Sequence, residues 1–167
     1  MYLHSIVLCG LLHALALADP LTQTSTDLQI QQGSCPMFWY SHDGRCYKYV
    51  STRMTWADAE LHCLTLDANL VSIHNDNENE FIFRLIQNFN PGQEYHWIGF
   101  SDAPKEGHWM WSDGSQRDFA AWYKGEPSNG DGIEHCGHIN YILPYEWNDV
   151  RCDNVYPFVC KARKSCP

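Results

Sequence analysis

Residues 126–152 read EPSNGDGIEHCGHINYILPYEWNDVRC. Glu126, Ser128, Asn129, Asp131, Glu134, Asn148 and Asp149 supply oxygen donors, and Arg151 is the only Lys or Arg among them. Hard cations such as Ca²⁺ take roughly 6–8 oxygen ligands from carboxylates, amides, backbone carbonyls and water. Carboxylates crowded together repel unless a cation sits between them. Pro127 restricts one side of the segment, Trp147 gives Asn148-Asp149 an apolar anchor, and a Cys136–Cys152 bridge would close its second half. The pattern predicts a cation held in a loop, with coordination left open to a polar ligand. The plain alternative is a solvated acidic loop.

Outward from this stretch, the N-terminus reads as a targeting segment. Ile6–Ala18 is an apolar run ending in Ala16-Leu17-Ala18, a small-x-small cleavage pattern, and it is too short to span a bilayer. Residues 1–18 are therefore expected to be a signal peptide and the protein to be secreted, without membrane insertion, into an oxidising compartment. Residues 19–34, rich in Thr, Gln and Ser, read as a flexible leader. Residues 35–161 read as one compact domain and 162–167 as a short tail. The net charge of −9, with no basic stripe, argues against nucleic acid as a partner. Of eight cysteines, Cys9 falls in the signal segment. The other seven form no C-x-x-C pair, so a structural zinc site is not expected. Six can form three bridges. Cys166, beside the C-terminus, is the expected unpaired one and a candidate interchain link in a homodimer.

Local signals suggest an α+β domain. Asp43-Gly44 between aromatic runs predicts a hairpin. Thr55–Leu66 reads as a helix with Thr55 and Asp58 in a capping arrangement. Its Trp56, Ala59 or Glu60, and Cys63 share one face. Asn77–Phe89 reads as a second helix, capped by Asn77 and Glu80, with Phe81, Ile82, Leu85, Ile86 and Phe89 as its apolar stripe. Pro91-Gly92 ends it. Tyr95–Phe100, Trp109–Trp111 and Val155–Cys160 read as strands, and Phe119 and Trp122 as core.

Taken in order, these pieces carry a family resemblance. Cys35 and Cys46, the Trp56/Cys63 helix, Asn69–His74, Trp97–Phe100, Trp109–Gly114, Trp122, Glu126-Pro127, Glu134-x-Cys136, Trp147-Asn148-Asp149 and Cys160 together resemble the C-type lectin-like domain, across Cys35–Cys160. The soluble lectins of fish mucus, serum and venom are the most similar members, and fish type II antifreeze proteins are more distant ones. The resemblance implies two helices with short mixed β-sheets and a long ligand-binding loop, stapled by Cys35–Cys46, Cys63–Cys160 and Cys136–Cys152. It implies Ca²⁺ on Glu126, Ser128, Glu134, Asn148 and Asp149, with the same side chains binding a terminal sugar. Tyr141 and Tyr145 flank that site and are candidates to stack on a galactoside, or simply loop packing. A second calcium position would use Asp102, Glu106, Asn129 and Glu134, and His135 stands where an acid is usual.

The triplet Glu126-Pro127-Ser128 departs from the family's Glu-Pro-Asn and Gln-Pro-Asp forms. Spacing to Glu134 is kept, so Ser128 is a substitution, with Asn129 as a possible replacement ligand. The resemblance then implies a lectin for glycans on microbial or host surfaces, leaning to galactose or lactose with mannose as the other class, acting in agglutination or innate defence. Calcium-independent lactose binding and a protein- or ice-binding role are the alternatives. His135 and His138, flanking Cys136, read as exposed loop histidines, with a two-His zinc site the less favoured reading. No Gly-x-Ser-x-Gly elbow, metalloprotease helix motif or phosphate-binding glycine loop occurs, so catalysis is not expected.

Overall fold

The computed structural model describes residues 30–92, 94–140 and 145–163. The signal segment, most of the leader, Tyr141 and Cys166 lie outside the described residues. Strand β1 (Tyr40–His42) and strand β2 (Arg45–Met54) form the expected hairpin. Its two turn residues, Asp43 and Gly44, both have left-handed φ (45° and 68°), the geometry that matches strand twist in a two-residue hairpin. Contacts reach back before Cys35: Ser41 N–H donates to Gln31 O, and Ile30 packs on the core.

Helix α1 (Trp56–Thr65) starts where its cap predicts. Asp58 N–H donates to Thr55 Oγ1, and that hydroxyl donates to Asp58 Oδ2. Ala59 and Cys63 face inward. Helix α2 (Asp76–Phe89) begins one residue earlier than expected and is capped differently. Asn75, not Asn77, is its N-cap, with Oδ1 accepting from Glu78 N–H at 2.9 Å. The carboxylate of Glu78 turns inward, accepting from His74 N–H, Tyr47 Oη and Lys161 Nζ. Burial, helped by the charge on Glu78, pushes the Tyr47 hydroxyl far above its ordinary range. Of the apolar stripe, Phe81, Ile82, Leu85 and Ile86 are buried. Phe89 is 43% exposed, with its ring stacked on Tyr49.

The remaining strands are β3 (Ala68–Leu70), β4 (His96–Ser101), β5 (Met110–Trp111), β6 (Cys136–Ile139), β7 (Trp147–Val150) and β8 (Tyr156–Ala162). The sheet runs β1-β2-β8-β4-β6-β7, with β3 on β8 and β5 on β4. Its ladders are antiparallel except β4–β8, so the sheet is mixed. Gly99 lets three segments converge. A Cβ there would lie 2.7 Å from Leu70 O and 2.8 Å from Ser112 Oγ. The core is aromatic, with Trp97, Trp147 and Phe100 fully buried and Trp122 partly so beside them. Three disulfides, Cys35–Cys46, Cys63–Cys160 and Cys136–Cys152, match the pairing implied by the resemblance. Among the described residues no helix is long and apolar enough to cross a membrane.

Candidate functional site

Strand β7 carries the site, and Trp147 fixes β7. Its indole is fully buried and Nε1 donates to Asn79 Oδ1 on α2 at 3.0 Å. The other end of the same amide, Asn79 Nδ2, donates to Tyr145 O. Residues 121–123 lie along Trp147: Trp147 N–H donates to Ala121 O and Tyr123 N–H donates to Trp147 O. The chain then turns, with Glu126 N–H donating to Tyr123 O, and enters the cis Glu126-Pro127 peptide.

Asp149, fully buried, docks the loop. Its Oδ1 accepts from Ser128 N–H at 2.9 Å and its Oδ2 from Asn129 N–H at 2.8 Å. Charge-assisted bonds of this kind are about twice as strong as neutral ones. Asn129 and Asp131 take left-handed φ values of 46° and 54°, which Asn and Asp tolerate better than most residues. Glu134 closes the turn from the far side. Gly130 N–H donates to Glu134 Oε2 at 2.7 Å, and Glu134 N–H donates to Asn129 Oδ1 at 3.1 Å.

Glu126, Ser128, Glu134 and Asp149 are gathered along one loop through the bonds of Asp149 and Glu134 to its backbone, and Asn148 precedes Asp149 on β7. Ser128 Oγ donates to Glu134 Oε2 at 3.5 Å and lies near the Glu126 carboxylate. Asn129 Oδ1, the alternative oxygen, accepts from Glu134 N–H. Two buried oxygens, Glu126 Oε2 and Asn148 Oδ1, have no hydrogen-bond partner. An unpaired buried acceptor is costly. Acceptors left over at an acidic mouth are the donor set a hard cation takes, so these residues fit calcium. Desolvation holds the Glu126 carboxyl above its usual range; a Ser128 hydrogen bond lowers it in part and the nearby Asp149 raises it further.

Tyr145 packs against Phe83, ring centroids 4.5 Å apart. The histidines differ from expectation. Three residues apart in extended chain, His135 and His138 point to opposite sides, so they do not share a metal. His138 is buried on β6, not exposed, with Nε2 3.4 Å from Asn148 Nδ2. Burial lowers its pKa to about 4, so the ring is neutral near pH 7. No sequence signal marked His138 as a support of Asn148; its register opposite Asn148 on β7 creates the contact. His135 turns to Asp102 and Glu106. Asn129 and Glu134, the other two residues expected of that position, hydrogen-bond within the loop.

This fold, these three bridges and this loop are those of a C-type lectin domain. The family model described as "Lectin C-type domain" matches residues 52–162, and the chain belongs to that family. It is 40% identical to ladderlectin of Oncorhynchus mykiss over 126 residues, covering 75% of this chain and 66% of that protein. It is 37% identical to the galactose-specific lectin nattectin of Thalassophryne nattereri over 157 residues, 94% of each. Among solved structures, herring type II antifreeze protein superposes with a TM-score of 0.72 at 30% identity, covering 80% of this chain and all of that one.

Proposed function

We propose that the protein is a secreted lectin that binds terminal galactose or lactose units through a calcium ion held at the mouth of the 126–134 loop. The observation that carries this reading is the pair of buried oxygens without a hydrogen-bond partner, Glu126 Oε2 and Asn148 Oδ1, on the residue near Asp149 and on the one that precedes it in β7. Glu126, Ser128, Glu134, Asn148 and Asp149 are the ligands. When bound, the cation supplies a fixed positive centre that accepts sugar hydroxyl oxygens. The carboxylates of Glu126 and Glu134 accept from sugar hydroxyls, and the Ser128 hydroxyl, exposed at the rim, donates or accepts. Asn148, with Nδ2 toward His138, offers Oδ1 to the cation. Asp149 keeps the loop backbone in place while its remaining lone pairs serve the ion. The similarity to a galactose-specific lectin over 94% of the chain supports the galactose class. Glycans of microbial or host surfaces, and defence by agglutination, follow from that class. A Cys166-linked homodimer would raise avidity by ~10²–10⁴ when both sites engage.

Retention on immobilised lactose and mannose, each with calcium and with EDTA, tests the reading. Lactose retention abolished by EDTA and by Glu126→Gln is the expected result. Retention that survives EDTA overturns the calcium-bridged mechanism and favours the calcium-independent alternative. No retention on either sugar overturns the lectin reading. The likeness to herring antifreeze protein then makes thermal hysteresis the next measurement.

A further inference from the structure

Asp102, Glu106 and His135 are the group of three metal-ligating side chains that the described residues contain, with ligand atoms all within 4.8 Å of one another. Asp102 follows β4, Glu106 lies in the turn beyond it, and His135 precedes β6. The backbones under them are fixed. Asp102 N–H and Ser101 Oγ both donate to His135 O, at 3.2 and 2.7 Å, and His135 N–H donates to Val150 O. Gly107 N–H holds Asp102 Oδ2 at 2.7 Å, which aims Oδ1 at the ring. His135 Nδ1 then lies 3.1 Å from Asp102 Oδ1 and 3.3 Å from Glu106 Oε2.

A ring nitrogen carries at most one proton, so it cannot satisfy two carboxylates that converge on it. Asp102 is 2% exposed, bonded to Gly107 N–H and to the His135 ring, and among the described ion pairs neither acid is matched by Lys or Arg. His135 brings this buried carboxylate a positive charge only when the ring is protonated, whereas a cation shared by the three groups supplies one with the ring neutral. The fold family implies calcium here, but the donors do not fit it. Calcium takes roughly 6–8 oxygens. Here one of the three donors is an imidazole nitrogen, a ligand zinc takes and one outside calcium's oxygen set. Zinc fits instead. Its bonds to nitrogen and carboxylate oxygen are ~2.0–2.1 Å in tetrahedral geometry, which sets donor–donor edges of about 3.3 Å. The two edges at His135 Nδ1, 3.1 and 3.3 Å, match that spacing, and the third, between the carboxylates, lies within 4.8 Å.

We propose that Asp102, Glu106 and His135 form a zinc-class site, with three protein ligands and a fourth position open to water or to an incoming donor. It ties the turn after β4 to the start of β6, beside the Cys136–Cys152 bridge. It stands apart from the loop reading, because its metal, its ligands and its test are different.

The test titrates the EDTA-stripped full chain with zinc alone by calorimetry, then repeats the titration in millimolar calcium. One zinc per chain, unmoved by calcium, is expected, and Co²⁺ in its place gives the visible absorption of tetrahedral coordination. His135→Ala weakens zinc by at least ~30-fold, within the range that disturbed metal sites lose. His135→Asp trades zinc for calcium. His62→Ala, on α1, leaves zinc binding unchanged and controls for adventitious surface histidines. Near-UV dichroism from the tryptophan core reports that each variant is folded. A folded His135→Ala that binds zinc as the parent does overturns the site, as does zinc that millimolar calcium displaces.

Discussion

Asp149→Asn separates the loop's shape, which this carboxylate holds, from the calcium ion proposed to bind there. In the parent, both carboxylate oxygens accept from backbone N–H groups of Ser128 and Asn129 inside a fully buried setting. The amide keeps one acceptor, so one charge-assisted bond becomes neutral, a loss of about 1 kcal/mol. Its NH₂ faces the other N–H donor, leaving a buried group unsatisfied at a cost of about 2 kcal/mol. Relief of the repulsion between Asp149 and Glu126 offsets a small part of that. The net expectation is a loss of about 2–3 kcal/mol in calcium-free buffer. For a domain of this size that is a fall of about 8 °C in Tm. Differential scanning calorimetry with and without calcium is the assay. The parent should gain stability on adding calcium, and the variant should gain almost none. A variant that melts within ~2 °C of the parent without calcium would refute the docking role assigned to this carboxylate. A variant with the parent's full calcium shift would refute its role as a ligand.

Two further expectations concern the frame around the loop. Asn79→Ala removes the amide that joins Trp147 Nε1 to Tyr145 O; leaving that buried indole N–H unpaired should cost about 1–3 kcal/mol, read as a urea midpoint, and should weaken lactose retention through β7. His96 is fully buried, and burial lowers its pKa to about 4, against about 6.5 in the unfolded chain. The unfolded state therefore takes the proton first. The stability contributed by the neutral ring is whole above about pH 6.5 and is lost as pH falls toward 4, by up to about 3 kcal/mol. His96→Gln should flatten that part of the pH profile, and parallel profiles for parent and variant would contradict the assignment.

What sequence reveals here follows how local the cause is. The Asp43-Gly44 turn and the Thr55 cap are decided within four residues, and both fold as read. The α2 boundary misleads because Asn75, Asn77 and Asn79 are all plausible caps. The choice falls to Asn75 because Glu78, three residues on, is drawn inward by Tyr47 and Lys161, partners 31 and 83 residues away. The loop oxygens are legible because Glu126, Ser128 and Glu134 are close in sequence. The state of the histidines is not. His138 looks like a polar loop residue until β4 and β7 close on either side of β6. His135 meets Asp102 only because two strands 33 residues apart lie side by side.

For anyone reshaping the sugar preference of this scaffold, Gly130 divides the loop into a rail and a face. A Cβ at Gly130 would stand 2.7 Å from Glu134 Oε2, the atom its own N–H already holds. With Asn129, Asp131 and Gly132 in left-handed conformations, the stretch 129–132 accepts few side chains whatever ligand is sought. Ser128 and Ile133 are exposed on either side of it. A mutant library spent on those two positions would vary the side chains the loop presents to solvent, whereas one spread across the whole loop would mostly sample sequences that no longer form it.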